Sequence, residues 1–163
     1  MFNVFIYPGG ASRMFMLMHM VGEQAFWKAC QQYLNERKYT SFDTEAFFQT
    51  WSKATGKDLT PFMKQWFFTP AAPKLTISWQ GDDVVVSQPA PYFDLDVPVW
   101  VLTGRDWAKQ TVHLTGVTAH ANFPGLGGRA VLADPEGWIM ANFNYPDSLT
   151  TNQKIALYNS APN

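Results

Sequence analysis

The residues able to do chemistry in this chain are few and scattered. Three histidines are present, His19, His113 and His120. A peptidase-type zinc site needs two histidines one helical turn apart in an H-E-x-x-H run, and no such pair exists in these residues. His19 and Glu23 have the right separation, but Gly22 between them is expected to end the helix, which leaves His19 as a helix-end histidine. His113 and His120 fall on expected strands without a nearby cysteine or carboxylate cluster, and surface or hairpin roles are expected for both. Met14, Met16, Met18 and Met20 beside His19 offer thioethers of the kind that suit Cu(I). The surrounding run from Ala11 to Val21 is apolar on every side, so the methionines are read as packing a buried helix. Cys30 is the single cysteine; it excludes an internal disulfide and reads as an inert buried thiol with no base beside it. Gly125, Gly127 and Gly128 lack the strand and helix that a phosphate-binding loop requires, and read as an ordinary loop.

The 163 residues carry 47% apolar and 15% charged side chains, enough to bury a core and too few charges for a disordered tail. Aromatic residues make up 16%, each a large contribution to a core or an interface. Twelve Lys and Arg against thirteen Asp and Glu give a net charge of -1, which provides no field for gripping a phosphate backbone and argues against nucleic-acid binding. The longest apolar run, Met14 to Met18, falls far short of the ~18 residues of a membrane span. No basic start precedes an apolar stretch near Met1, as a secretory signal would need, and a strand-like Phe2 to Ile6 directly after Met1 suggests a cut rather than a natural beginning.

The elements that must position these residues change character near residue 70. Phe26, Trp27, Cys30, Tyr33 and Leu34 recur at helical spacing and predict one amphipathic stripe, with Gly22 stopping the helix before it. Asp43 or Thr44 can cap a third helix, in which Phe47, Phe48, Trp51 and Ala54 share a face and Gly56 ends the run. Thr60-Pro61 predicts the start of a short fourth helix, with the threonine hydroxyl as cap and proline where its missing N–H costs nothing. Thr69 to Pro73 is a stiff proline-rich exit. Beyond it the period drops to two, at Leu75, Ile77 and Trp79 and again at Leu95, Val97, Val99 and Val101, with Gly81-Asp82 as a turn. Pro98 marks its strand as an edge or a bulge. Further strands are expected at Val112 to Leu114, Ala119 to Phe123, and Arg129 to Leu132 and Trp138 to Phe143 around the turn Asp134-Pro135-Glu136-Gly137. The fold class expected is α+β, a small helical unit over 1–70 followed by an antiparallel β-sandwich over 71–146. Residues 147–163 are read as a tail or the start of another helical domain, with one turn around Ile155 to Tyr158.

The order of several segments resembles a known family. Tyr7-Pro8-Gly9-Gly10-Ala11, then His19-Met20-Val21-Gly22-Glu23, are similar to a stretch of the gluzincin zinc aminopeptidases, the group that contains aminopeptidase N and leukotriene A hydrolase. The likeness runs through the helix start at Ala25-Phe26, Tyr39, the capped helix at Thr44-Glu45, the Ser52 to Leu59 stretch, Trp66 and the Pro70 to Pro73 exit. It reaches the sandwich at Val131 to Trp138, similar to a "V-x-x-D-P-x-x-W" end, and covers about residues 4 to 145.

The resemblance implies one site residue in this chain. Tyr7 matches the family tyrosine whose phenol hydrogen-bonds the oxyanion formed at the peptide carbonyl, a contribution of ~3 kcal/mol for a single such donor. Gly9 departs from the lysine that the family carries there. The zinc-binding H-E-x-x-H helix, the further glutamate ligand and the residues that hold the substrate's amino group precede this tyrosine in the family, and the chain is expected to start too late to contain them. The resemblance therefore implies a fragment of a zinc aminopeptidase, inactive alone, with zinc and peptide substrate belonging to the complete enzyme and no zinc bound by this chain. The other class of function left open is a non-catalytic interaction or scaffold module, whose exposed apolar helical faces meet a partner chain or form a homo-oligomer.

Overall fold

In the computed structural model of the chain, residues 6–103, 106–127 and 129–145 are described, residues 6 and 7 by their backbone alone. The turn expected around Ile155 to Tyr158 lies outside the described residues. The chain separates into two compact units, Met1–Pro70 and Ala71–Asn163. Among the described residues, four helices come first, followed by two small and mostly antiparallel sheets, an α+β arrangement.

The first unit contains α1 (Ile6–Val21), α2 (Glu23–Arg37), α3 (Thr44–Thr55) and α4 (Thr60–Phe67). Gly22 separates α1 from α2 at φ 90°, a backbone that side-chain-bearing residues rarely adopt. The Asp43 carboxylate caps α3 by accepting from the Ala46 N–H at 2.7 Å, and Gly56 closes it in the left-handed region. Capping at α4 differs from expectation by one residue. Leu59 is the N-cap, Thr60 is already helical, and the Asp58 carboxylate accepts the Thr60 N–H at 2.9 Å. With an acidic acceptor two residues earlier, the threonine hydroxyl is not needed as the cap.

Two burial expectations for the helices are corrected. On α2 the buried residues are Phe26, Ala29 and Tyr33, while Trp27 and Leu34 stand 54% and 67% exposed. At about 100° per residue, Phe26, Ala29 and Tyr33 span roughly 60° of the helix, whereas Leu34 and Trp27 lie about 80° and 100° from Phe26 on the other side. The expected stripe was wider than the face that α3 covers. Among the described side chains of α1, Leu17 and Val21 are buried while Phe15 and Met20 are exposed, so the helix is not enclosed as the apolar run from Ala11 to Val21 suggested. The core of this unit is aromatic. Trp51 meets Phe26 edge-on at 5.0 Å and stacks on Phe47 at 4.9 Å, and Phe48 meets Phe67 edge-on at 5.0 Å.

The second unit contains β1 (Lys74–Gln80), β2 (Asp83–Ser87), β3 (Leu95–Thr103), β4 (Asp106–Leu114), β5 (Thr118–Asn122), β6 (Val131–Ala133) and β7 (Asn142–Asn144). One sheet has the order β5-β2-β1-β7 and the other β4-β3-β6. Alternation buries Leu75, Ile77, Val84 and Val86 in the first sheet, and Leu95, Val97, Val99, Val101, Val112 and Leu114 in the second. The two segments that flank Asp134 belong to different sheets: β6 joins β3, while the short β7 runs parallel to β1 with Leu75 opposite Phe143. One detail departs from the sequence reading. Pro98 lies in the central strand β3, in unbroken register with β4, rather than at an edge or a bulge. The β3–β6 ladder begins at Val99, and beside Pro98 the only demand is on its carbonyl, which accepts the Asp134 N–H at 2.8 Å. The missing N–H thus falls where no strand bond is required.

Candidate functional site

Tyr7 is the second residue of α1, and its side chain lies outside the described residues. The turn that carries it is built tightly. Ser12 Oγ donates to the Pro8 carbonyl at 2.9 Å, and Arg13 Nη1 donates to the Gly9 carbonyl at 2.9 Å. Arg13 Nε donates across 53 residues to the Trp66 carbonyl at 2.5 Å, near the end of α4. The guanidinium also sits over the Phe67 ring, 5.7 Å from its centroid. Position 9 is tight against Arg13: a Cβ there would stand 3.0 Å from Nη1. The sequence reading missed Arg13. Its signal was a lone cation inside an apolar helix, one turn after a glycine.

The other candidates resolve individually. His19 and Glu23 fall on different helices, and His19 meets Phe15 edge-on at 4.6 Å. Cys30 is half-buried, and burial pushes its thiol up from the usual value, which lowers its reactivity at neutral pH. Gly125 and Gly127 lie in a loop at positive φ, held by the Asp82 carboxylate accepting from the Leu126 N–H at 3.0 Å; Gly128 lies outside the described residues. The expectation that His113 has no carboxylates near it is corrected. Its Nδ1 lies 2.8 Å from Asp96 Oδ1 and its Nε2 lies 3.7 Å from Asp94 Oδ1. Pairing of β3 with β4 places Asp96 opposite His113, a register that one-strand patterns do not reveal. All three side chains are exposed. The hydrogen bond to Asp96, reinforced by both carboxylate charges, raises the His113 pKa above its ordinary value.

The helical unit that carries Tyr7 is the part of the chain that matches a known family. Residues 1–66 match the Peptidase family M1 domain, and this chain is a relative of the M1 aminopeptidases. Probable aminopeptidase 1 of Sulfurisphaera tokodaii is 32% identical over 84 residues, covering 52% of this chain and 11% of the relative. Aminopeptidase N of Lactococcus lactis is 28% identical over 86 residues, covering 53% of this chain and 10% of that protein. In fold, 90% of the chain matches 18% of a chain in the crystal structure of Legionella pneumophila aminopeptidase A in complex with aspartic acid, at a TM-score of 0.68 and 15% identity. The chain thus spans about a tenth of the length of these curated relatives. M1 enzymes are zinc-dependent. Among the described residues no group of three or more His, Cys, Asp or Glu could hold a metal ion, so these residues do not fit the zinc.

Proposed function

We propose that this chain is one section of an M1-type aminopeptidase, and that its contribution to the chemistry is Tyr7. The complete protein removes N-terminal residues from peptides. As water adds to the scissile carbonyl, negative charge develops on its oxygen, and a neutral phenol donates a hydrogen bond to it. Such a donor accelerates the reaction only if it is already aimed, because a donor that reorients first spends the energy it would return. The relation of residues 1–66 to the M1 domain carries this reading. In this reading the 163-residue chain alone does not hydrolyse peptides, because its sequence carries no H-E-x-x-H run to hold the zinc.

The test has two arms. The isolated chain with added zinc is expected to leave an aminoacyl anilide intact, and chelator-sensitive release of the aniline would overturn its inactivity. In a chimera, residues 1–70 replace the corresponding segment of the archaeal relative, and Tyr7→Phe is expected to lower kcat on the order of 10²- to 10³-fold with KM little changed. An unchanged kcat in that variant would remove Tyr7 from the mechanism.

The exposed apolar side chains of the first unit favour a second reading, a non-catalytic interaction module. Phe15, Met20, Trp27 and Leu34 are uncovered on α1 and α2. In this reading they meet a partner chain or a second copy of this one.

A further inference from the structure

We propose that Arg13 is a positioning residue, which locks the first turn of α1 to the end of α4 and thereby fixes where Tyr7 is presented. The proposal rests on the catalytic reading of Tyr7 and adds a residue that acts through the backbone, without touching substrate.

Three contacts converge on one guanidinium. Nη1 holds the Gly9 carbonyl, Nε holds the Trp66 carbonyl, and the planar group covers the Phe67 ring. Two of the anchors are on α4 and the third is two residues from Tyr7, so the side chain ties the tyrosine's own turn to a separate element. A helix N-terminus is where backbone order is weakest, since its first N–H groups have no partner within the helix. A bridge at this point restricts the turn, where the same bridge in mid-helix would add little. A planar fork with separated donors reaches two carbonyls and a ring face from one fixed position, a geometry that the single nitrogen of a lysine ammonium matches less well. Position 9 is shaped to the bridge. A Cβ at Gly9 would stand 3.0 Å from Nη1, so the guanidinium would have to shift by a few tenths of an ångström, lengthening the contacts that hold it. Gly9 and Arg13 are thus one device: the glycine makes room and the arginine uses it.

The experiment places a single 3-fluorotyrosine at position 7 of the full 163-residue chain and reads its fluorine resonance. Arg13→Ala is expected to move that resonance most of the way to its position in the urea-unfolded chain, with the far-UV circular dichroism retained. Gly9→Ala should move it in the same direction, and the double variant no further than Arg13→Ala alone. Arg13→Lys should give a smaller displacement. Lys57→Ala removes the bond from Lys57 Nζ to the Met20 carbonyl at the other end of α1, and should leave the resonance in place. A resonance unmoved by Arg13→Ala in a folded chain would overturn the proposal, as would an equal displacement by Lys57→Ala. Should Arg13→Ala fail to fold, Gly9→Ala and Arg13→Lys decide the matter by the same reading. In the chimera, Arg13→Ala is expected to lower kcat at least tenfold with KM nearly constant, and Arg13→Lys to restore part of it. A chimera that keeps full turnover with Tyr7→Phe would end the catalytic reading alone, because the fluorine resonance reports the position of Tyr7 whether or not its phenol takes part in catalysis.

Discussion

Single side chains in this molecule do most of their work by satisfying backbone groups. Asp134 is buried at φ 48°, and its two carboxylate oxygens accept the Trp138 and Ile139 N–H groups at 2.7 Å each. That explains the Asp-Pro-x-x-Trp pattern physically: the carboxylate closes the turn that sends the chain from one sheet to the other. His113 is different, because its partners are ionisable. Asp96 and Asp94 stabilise the imidazolium, so the folded-state pKa lies above the ordinary value of about 6.5. A raised histidine pKa contributes stability that is fully present below the unfolded value and disappears as pH rises through the folded one. Exposure of all three side chains keeps that contribution small. The imidazole resonances of His113 are therefore expected to titrate above those of an unstructured histidine, and Asp96→Asn should bring the midpoint down towards it. A midpoint unaffected by Asp96→Asn would mean that the 2.8 Å contact does not persist in solution.

At the scale of elements, stability begins with the helix ends. Asp43 satisfies an N–H at the start of α3, which carries the buried Phe48 and Trp51. Asp43→Ala is expected to cost about 1 kcal/mol, read as a lower urea midpoint at unchanged slope, while Asp43→Asn should cost much less. Such boundaries were legible in the sequence because capping chemistry is local: Asp43 lies three residues from the N–H it satisfies, and Gly56 marks its end by its own backbone freedom. Elsewhere the determining partner was distant. The tolerance of Pro98 depends on where β6 starts, and the parallel course of β7 depends on β1, some 68 positions earlier at the Lys74–Asn142 pair. Trp27 and Leu34 belong to the apolar flank of α2 by composition, yet burial was decided by the width of α3 against it. The candidate site divides in the same way. Tyr7 was reached only through family resemblance, since a lone tyrosine at a helix start carries no local signature. Arg13 needed the contact to Trp66, which no period in the sequence encodes.

Across the whole molecule, composition and exposure bear on association. A net charge of -1 supplies little repulsion between copies, and charged residues make up only 15% of the chain. On one flank of α2, Trp27 and Leu34 are uncovered, and Tyr39 and Phe42 follow in the turn before α3. Covering a large aromatic side chain stabilises by roughly 1.5–3 kcal/mol, so even a few such residues can offset part of the cost of holding two chains together. In isolation the 163-residue chain is expected to associate reversibly, with a light-scattering mass that rises with concentration and an apolar dye that binds. Replacing Trp27 and Leu34 together by glutamate should return the mass to that of one chain, because both side chains are solvent-facing and like charges would then oppose on the same flank. The circular dichroism should stay the same, since more than half of each side chain already faces solvent. A chain of unit mass at every concentration, with no dye bound, would show that this flank needs no cover and that its exposed aromatics serve no interface.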